Sequence, residues 1–378
     1  MSEKTVVVVF PSLFSLNKIG FLRSSMIRIL KQKKQDFSSV EKDDSVLIVE
    51  AKDPVFASSI ICSLFGIEKI AIATQVENNF DLVVSTIAKI GTNLLLKGER
   101  FYVKVDGKAT SYLPKDIELA ATSLLIEKTA NLETKPGSEQ NHDKLLYTYL
   151  TNSNAYICIF VDKGLGGVPQ KSQNQNILCC VYDELSAVSC LQCIKMGFDV
   201  KIIGCYRNEA DLLNIVKMIN PVLPLIGENK VELHFCKLQI SSSSSSNFLL
   251  KIAVITEILI TIARLKKIER VSLAISPLIF PTWFVEYNLM RIFQKELVPW
   301  FPLSGLEDDI FETAKELGFE KHINKIESVC RLKYPSYHIS LNKINRITKM
   351  ALKTRKSIII TIGPKNIHDI LDSLKSNH

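Results

Sequence analysis

The stretch Asn176–Val200, NILCCVYDELSAVSCLQCIKMGFDV, decides the fold class of the chain's second half. It begins as an apolar run and passes through a short polar turn. It then enters a helical pattern and leaves through Gly197 into a second apolar run. Ile177, Cys179 and Val181 alternate as a strand, and Leu185, Val188, Leu191 and Ile194 recur at helical spacing. In α/β nucleotide enzymes the turn after such a strand usually holds glycines, whose backbone N–H groups cradle a phosphate. Here the turn reads Tyr182-Asp183-Glu184.

Downstream the same grammar repeats. FDVKIIGCY reads as a strand, NEADLLNIVKMINP as a helix and VELHFCKLQI as a strand; a helix over 248–266 precedes RVSLAIS. Such alternation predicts a parallel, helix-covered sheet. The run Ser241–Ser246 follows a strand and reads as a flexible loop. The tail holds a basic helix, NKINRITKMALKTRKS, and a last strand-helix pair.

Upstream, TVVVVF predicts a buried strand, IGFLRSSMIRILKQKKQ a basic amphipathic helix, and DSVLIVEA a second strand. DPVFASSIICSLFG predicts a helix with Asp53 as N-cap, Pro54 at its first position and Gly66 at its end, before the strand IEKIAIATQV. Residues 1–76 thus read β-α-β-α-β, a small α+β sandwich. Helix, strand (ERFYVKVDGKA), helix and two further strands follow, ending in GLGGVP.

A chain of 378 residues suggests two or three domains. With 47% hydrophobic and 23% charged residues it is globular in composition, and its net charge of +8 favours a polyanionic partner. Nine cysteines, several inside apolar runs, fit a reducing, cytoplasmic setting. MSEKTVVVVF lacks a leading basic region and a cleavage site, so no signal peptide is expected. The apolar run LLKIAVITEILITIARL carries Lys251 and Glu257, which favours a buried helix over a membrane span.

Few motifs carry chemistry. Cys190 and Cys193 form a C-x-x-C whose thiols share one helix face, but in mid-helix and without a second pair. Packing is their expected role, with redox or metal chemistry as the alternative. No histidine spacing suits a metal, and none is expected. GLGGVP opens no helix and reads as a turn rather than a phosphate cradle. Cys330 sits among polar and basic residues, where cations can lower a thiol pKa and make it nucleophilic. Lys104, Lys108 and Lys115 line a strand and its following loop, a pattern suited to a phosphate backbone.

Together these segments resemble the tRNA 4-thiouridine synthetases, the tRNA sulfurtransferases also known from thiamine biosynthesis. SLNKIGFLRSSMIRILK is similar to their basic first helix, and FASSIICSLFGIEKIAIATQVE to the close of their first domain. KGERFYVKVDGKATSYLPKDIELAATSLLIEK is similar to the THUMP core, shorter between Asp106 and Leu113, and VDKGLGGVPQ to the exit from it. The resemblance implies a ferredoxin-like domain over 1–76, an RNA-binding THUMP domain over 77–170, and a Rossmann-like PP-loop domain over 171–378 with a basic C-terminal tail. The family's S-G-G-x-D-S loop falls on Val181, Tyr182, Asp183, Glu184, Leu185 and Ser186, where only Ser186 matches. AISPLIFPTWF stands where the family has a glycine-rich nucleotide segment, and Phe301-Pro302-Leu303 where it has R-P-L. GLEDDIFETAKELG is similar to the family helix that follows, and Cys330 falls at the family's sulfur-handling cysteine.

The resemblance therefore implies a tRNA-binding protein without ATP-dependent adenylation. Phosphate contacts are expected from Lys18, Arg23, Lys104, Lys108 and Lys115, with Arg346, Lys349 and Lys353 as an extension. No cofactor is expected, and ATP with Mg²⁺ enters only if the altered loop still binds. The expected partners are tRNA and an active sulfurtransferase or sulfur donor; the oligomeric state stays open. The alternatives are an active tRNA sulfurtransferase with a divergent loop and a protein-interaction module without RNA.

Overall fold

The computed structural model describes residues 4–240, 245–305, 311, 312, 315, 318 and 340–376. It divides into two compact units, Met1–Pro169 and Gln170–His378.

In the first unit the elements are β1 (Lys4–Pro11), α1 (Ile19–Gln32), β2 (Phe37–Asp43), β3 (Val46–Ala51), α2 (Pro54–Cys62), β4 (Ile67–Glu77), α3 (Phe80–Leu94), β5 (Arg100–Gly107), α4 (Pro114–Lys128), β6 (Lys135–Pro136), β7 (Lys144–Leu150) and β8 (Asn154–Gly166). They build one eight-stranded sheet in the order β2-β3-β1-β4-β8-β7-β5-β6. The first six elements give βαββαβ with strand order 2-3-1-4, the ferredoxin-like arrangement.

The sequence reading missed β2. Only Val40 of this edge strand is buried, so no apolar alternation marks it. The four valines of β1 are buried on both faces. Val7 and Val9 pack with Leu22, Met26 and Leu30 of α1; Val6 and Val8 face Tyr147 and Tyr156. The residues expected as two domains thus share one sheet, joined where β4 pairs with β8 from Ile67 to Glu77. Over β5, the helices α3 and α4 bury Val83, Ile87, Ile117 and Leu125 on Phe101, Val103 and Val105.

Asp53 caps α2 as expected, accepting the Phe56 amide at 2.9 Å. Gly164 lies so close to β4 that a Cβ there would meet the Ile67 carbonyl oxygen at 2.3 Å. In the glycine-rich exit it is carbonyls that are engaged: Gly166 O accepts the Gly66 amide at 2.6 Å, and Gly167 O accepts the Ser12 hydroxyl at 2.6 Å. A phosphate cradle presents N–H groups instead, so the structural role of this segment is the turn that the sequence suggests.

The second unit comprises β9 (Asn176–Val181), α5 (Glu184–Lys195), β10 (Asp199–Tyr206), α6 (Glu209–Ile219), β11 (Lys230–Lys237), α7 (Ser245–Lys266), β12 (Arg270–Ser272), α8 (Thr282–Phe293), β13 (Val298–Trp300), α9 (Leu341–Lys353), β14 (Lys356–Thr361) and α10 (Asn366–Ser376). Its sheet runs β13-β12-β9-β10-β11-β14, parallel except for the antiparallel edge strand β14. This is the alternating α/β architecture expected from Asn176 onward. Among the described residues no helix is long and apolar enough to cross a membrane. Cys330 and the segment 319–339 lie outside the described residues.

Candidate functional site

The chain leaves β9 outward through β10 and β11, then returns to the other side of β9 with β12. The carboxyl end of β9 is therefore the point where strand order reverses, the crevice in which open α/β sheets bind their ligands. Tyr182 to Ser186 lie at that point.

Its chemistry is that of a closed helix cap. Asp183 is the N-cap of α5 in extended backbone, and its Oδ1 accepts the Ser186 amide at 2.9 Å. The Ser186 hydroxyl accepts the amides of Tyr182 (2.8 Å) and Asp183 (2.9 Å) and donates to the Asp183 carbonyl at 2.7 Å. Three backbone N–H groups that could otherwise face an anion are thus held by side chains of the same turn. Glu184 adds a second carboxylate in the first helical turn. Tyr182 is buried, and Lys251 of α7 donates to its carbonyl at 3.0 Å with its ammonium 4.9 Å from the ring centroid. Burial pushes the Asp183 carboxyl up from its ordinary pKa, against the opposing pull of Lys251 and of the Ser186 bonds.

Across the crevice, the segment AISPLIFPTWF carries aromatic rings rather than glycines. Phe280 stacks on Phe248 with centroids 6.1 Å apart and packs on Phe284 at 5.9 Å. Ser276 is fully buried, and its carbonyl accepts the amides of Ile279 and Phe280.

The C-x-x-C lies in the core. Cys190 and Cys193 are both fully buried, Cys179 of β9 contacts both, and the Cys193 thiol donates to the Ser272 hydroxyl at 3.3 Å. Burial holds Cys179 and Cys193 far above the ordinary thiol pKa, so they stay protonated at neutral pH. None of the eight described cysteines forms a disulfide. Among the described residues no group of three His, Cys, Asp or Glu is arranged to hold a metal ion.

The basic residues read from the sequence divide into two kinds. Lys18 and Lys108 have no ion-pair partner among the described residues. Lys104 is bound to Glu139 at 2.8 Å, Lys115 to Glu118 at 2.6 Å, and the Arg23 guanidinium donates to the Val40 carbonyl at 2.6 Å. The Glu139 partner had no signature in sequence, since it comes from a distant loop, whereas Glu118 stands three residues after Lys115 on α4, a spacing at which opposite charges meet on a helix. Lys104, Lys108 and Lys115 belong to β5, the loop after it and the start of α4. Lys18 precedes α1, and Arg346, Lys349 and Lys353 are exposed on α9 in the second unit.

No family model matches the chain. A "Probable tRNA sulfurtransferase" of Macrococcus caseolyticus (strain JCSC5402) is 23% identical over 350 residues, 88% of this chain and 85% of the relative. The crystal structure of a 4-thiouridine synthetase–RNA complex with bound ATP superposes with a TM-score of 0.68 at 16% identity, covering 95% of this chain and 100% of that one. PH1313 from Pyrococcus horikoshii Ot3 gives 0.62 at 19% identity, over 83% of this chain and 99% of that one. The resemblance to the tRNA sulfurtransferases therefore extends over most of the chain, and the fold is that of the 4-thiouridine synthetase structure.

Proposed function

We propose that this chain is a tRNA-binding protein on a 4-thiouridine synthetase frame whose nucleotide turn no longer holds ATP. On this reading residues 1–76, 77–170 and 171–378 are its ferredoxin-like, THUMP and degenerate PP-loop segments. The observation that carries the reading is the turn at the switch point, where Asp183 and Ser186 take up three of its backbone N–H groups, those of Tyr182, Asp183 and Ser186. Side chains at the two former glycine positions block close approach, and two carboxylates repel the pyrophosphate. RNA is held electrostatically, led by Lys18 and Lys108, with Arg23, Lys104 and Lys115 reaching phosphate once their internal partners exchange. The protein acts in the cytoplasm, alone or beside an active sulfurtransferase or a sulfur donor.

Calorimetry with ATP and Mg²⁺, run beside a tRNA gel shift, tests the reading. Binding of tRNA without binding of ATP supports it. The name of the Macrococcus relative favours a second reading, an active sulfurtransferase using a divergent loop and Cys330. Formation of 4-thiouridine in tRNA by the purified chain with ATP and a sulfur donor, lost on Cys330→Ser, would establish that reading instead.

A further inference from the structure

Leu13 and Phe14 are each 73% exposed, more than any other large apolar side chain among the described residues. They lie in a short 3₁₀ segment, Leu13–Lys18, that precedes α1. The turn is fixed from below. The Ser12 amide donates to Gly66 O at 2.9 Å and its hydroxyl to Gly167 O at 2.6 Å; the Ser12 and Ser15 hydroxyls are 2.7 Å apart, with Ser15 fully buried. A pinned backbone thus presents an aromatic ring and a leucine to solvent. Ordering this turn is already part of folding, so a ligand that covers it meets a preorganised surface.

Charge selects the ligand. From Lys4 to Gln35 there is no acidic residue, while Lys18, Arg23, Arg28, Lys31, Lys33 and Lys34 follow the turn. Of these, Lys18 closes the segment that carries the ring, while Lys31 to Lys34 lie at the far end of the 14-residue α1, about 20 Å along the helix. An exposed ring with a cation in the same acid-free segment is a combination that holds single-stranded nucleic acid, with the ring stacking on a base and the cation on a phosphate. By contrast, the roughly 710 Å³ apolar groove lined by Val55, Ile70, Ile159, Phe160 and Asp162 has no cation in its lining.

We propose that the turn Leu13–Lys18 is a stacking platform for an unpaired RNA base, with Phe14 under the base and Lys18 on the adjacent phosphate; this rests on the tRNA-binding reading above. Stacking requires an unpaired nucleotide, so the platform acts at a loop or a strand end rather than along a duplex.

The test uses the full chain and a fluorescein-labelled tRNA transcript, read by anisotropy across a salt series. Phe14→Ala is expected to weaken binding about 5- to 100-fold without changing the salt slope, because stacking releases no counterion. Against a blunt RNA duplex the same substitution is expected to leave affinity unchanged. Phe14→Trp is expected to keep affinity, and its added fluorescence to be quenched by tRNA beyond the background of Trp283 and Trp300. Because Phe14 is exposed, both variants should melt with the wild type by circular dichroism. If Phe14→Ala binds tRNA like the wild type while Lys18→Glu weakens it, the platform is wrong and the RNA reading stands. If the wild type binds no tRNA at low salt, both fall.

Discussion

Helices α1 and α5 are each the first helix after the first strand of their unit, α1 by way of the 3₁₀ segment Leu13–Lys18, and their N-termini are opposites. At α5, Asp183 and Ser186 close a reciprocal set of hydrogen bonds and Glu184 adds negative charge to the first turn. At α1 the N-cap is Lys18, no side chain caps the helix, and the first turn holds no acid. The dipole of each helix favours an anion at that end. In α5 the anion is supplied by the chain itself; at α1 neither a capping side chain nor a first-turn acid supplies one. On the proposed reading, phosphate is met at the basic surface and not in the crevice.

Charge reversal at the basic surface should give the largest effect. Lys18→Glu with Lys108→Glu is expected to weaken tRNA binding strongly at low salt and to make the salt dependence shallower by about 1.4 to 1.8 in log–log slope, for two phosphate contacts. Lys104→Glu with Lys115→Glu should do less, since both lysines already pair with Glu139 and Glu118. Equal effects from the two pairs would show that the internal ion pairs do not decide which lysines meet RNA.

Next in size is the closed cap. Ser186→Ala leaves the amides of Tyr182 and Asp183 without their acceptor and should cost about 1 to 3 kcal/mol of unfolding free energy. Asp183→Ala should cost about 0.5 to 2 kcal/mol, read by chemical denaturation. If both are neutral, the turn is not held as described and could be remodelled by a nucleotide.

A smaller effect separates cap from charge. Asn caps a helix as well as Asp does, so Asp183→Asn keeps the bond to Ser186 and removes a carboxyl whose pKa is raised by burial. A raised folded-state pKa means that the folded protein binds the proton more tightly, so wild-type stability falls as pH rises through that window. Relative to Asp183→Asn, the wild type should therefore gain stability as pH drops from about 7 toward about 4, near the unfolded Asp value. A gap that widens in the opposite direction would mean that Lys251 outweighs burial.

Much of the fold was legible because it rests on apolar periodicity. The strand Asn176–Val181 and the helix after it formed where the alternation and the helical spacing placed them. Gly197 ended the helix with its positive φ. Strand β2 was not legible, since an edge strand with one buried residue leaves no pattern. The absence of glycine from the turn Tyr182-Asp183-Glu184 could be read, but not the reciprocal bonding of Ser186, which depends on hydroxyl geometry. The C-x-x-C was read as packing, and its burial against Cys179 and Ser272 agrees; the thiol chemistry of Cys190 and Cys193 should accordingly be silent. In a native labelling experiment with a maleimide, neither should react before unfolding, whereas Cys330 should react first. Early modification of Cys190 or Cys193 would restore a redox role for that pair.

The contrast between the two helix ends is tested most directly by titrating the full-length protein with ATP and Mg²⁺ in a calorimeter. No binding tighter than about 1 mM, a free energy near 4 kcal/mol, is expected for the wild type and for Asp183→Asn alike. A micromolar isotherm that disappears when Tyr182, Asp183 or Ser186 is replaced would show instead that the turn still receives a nucleotide.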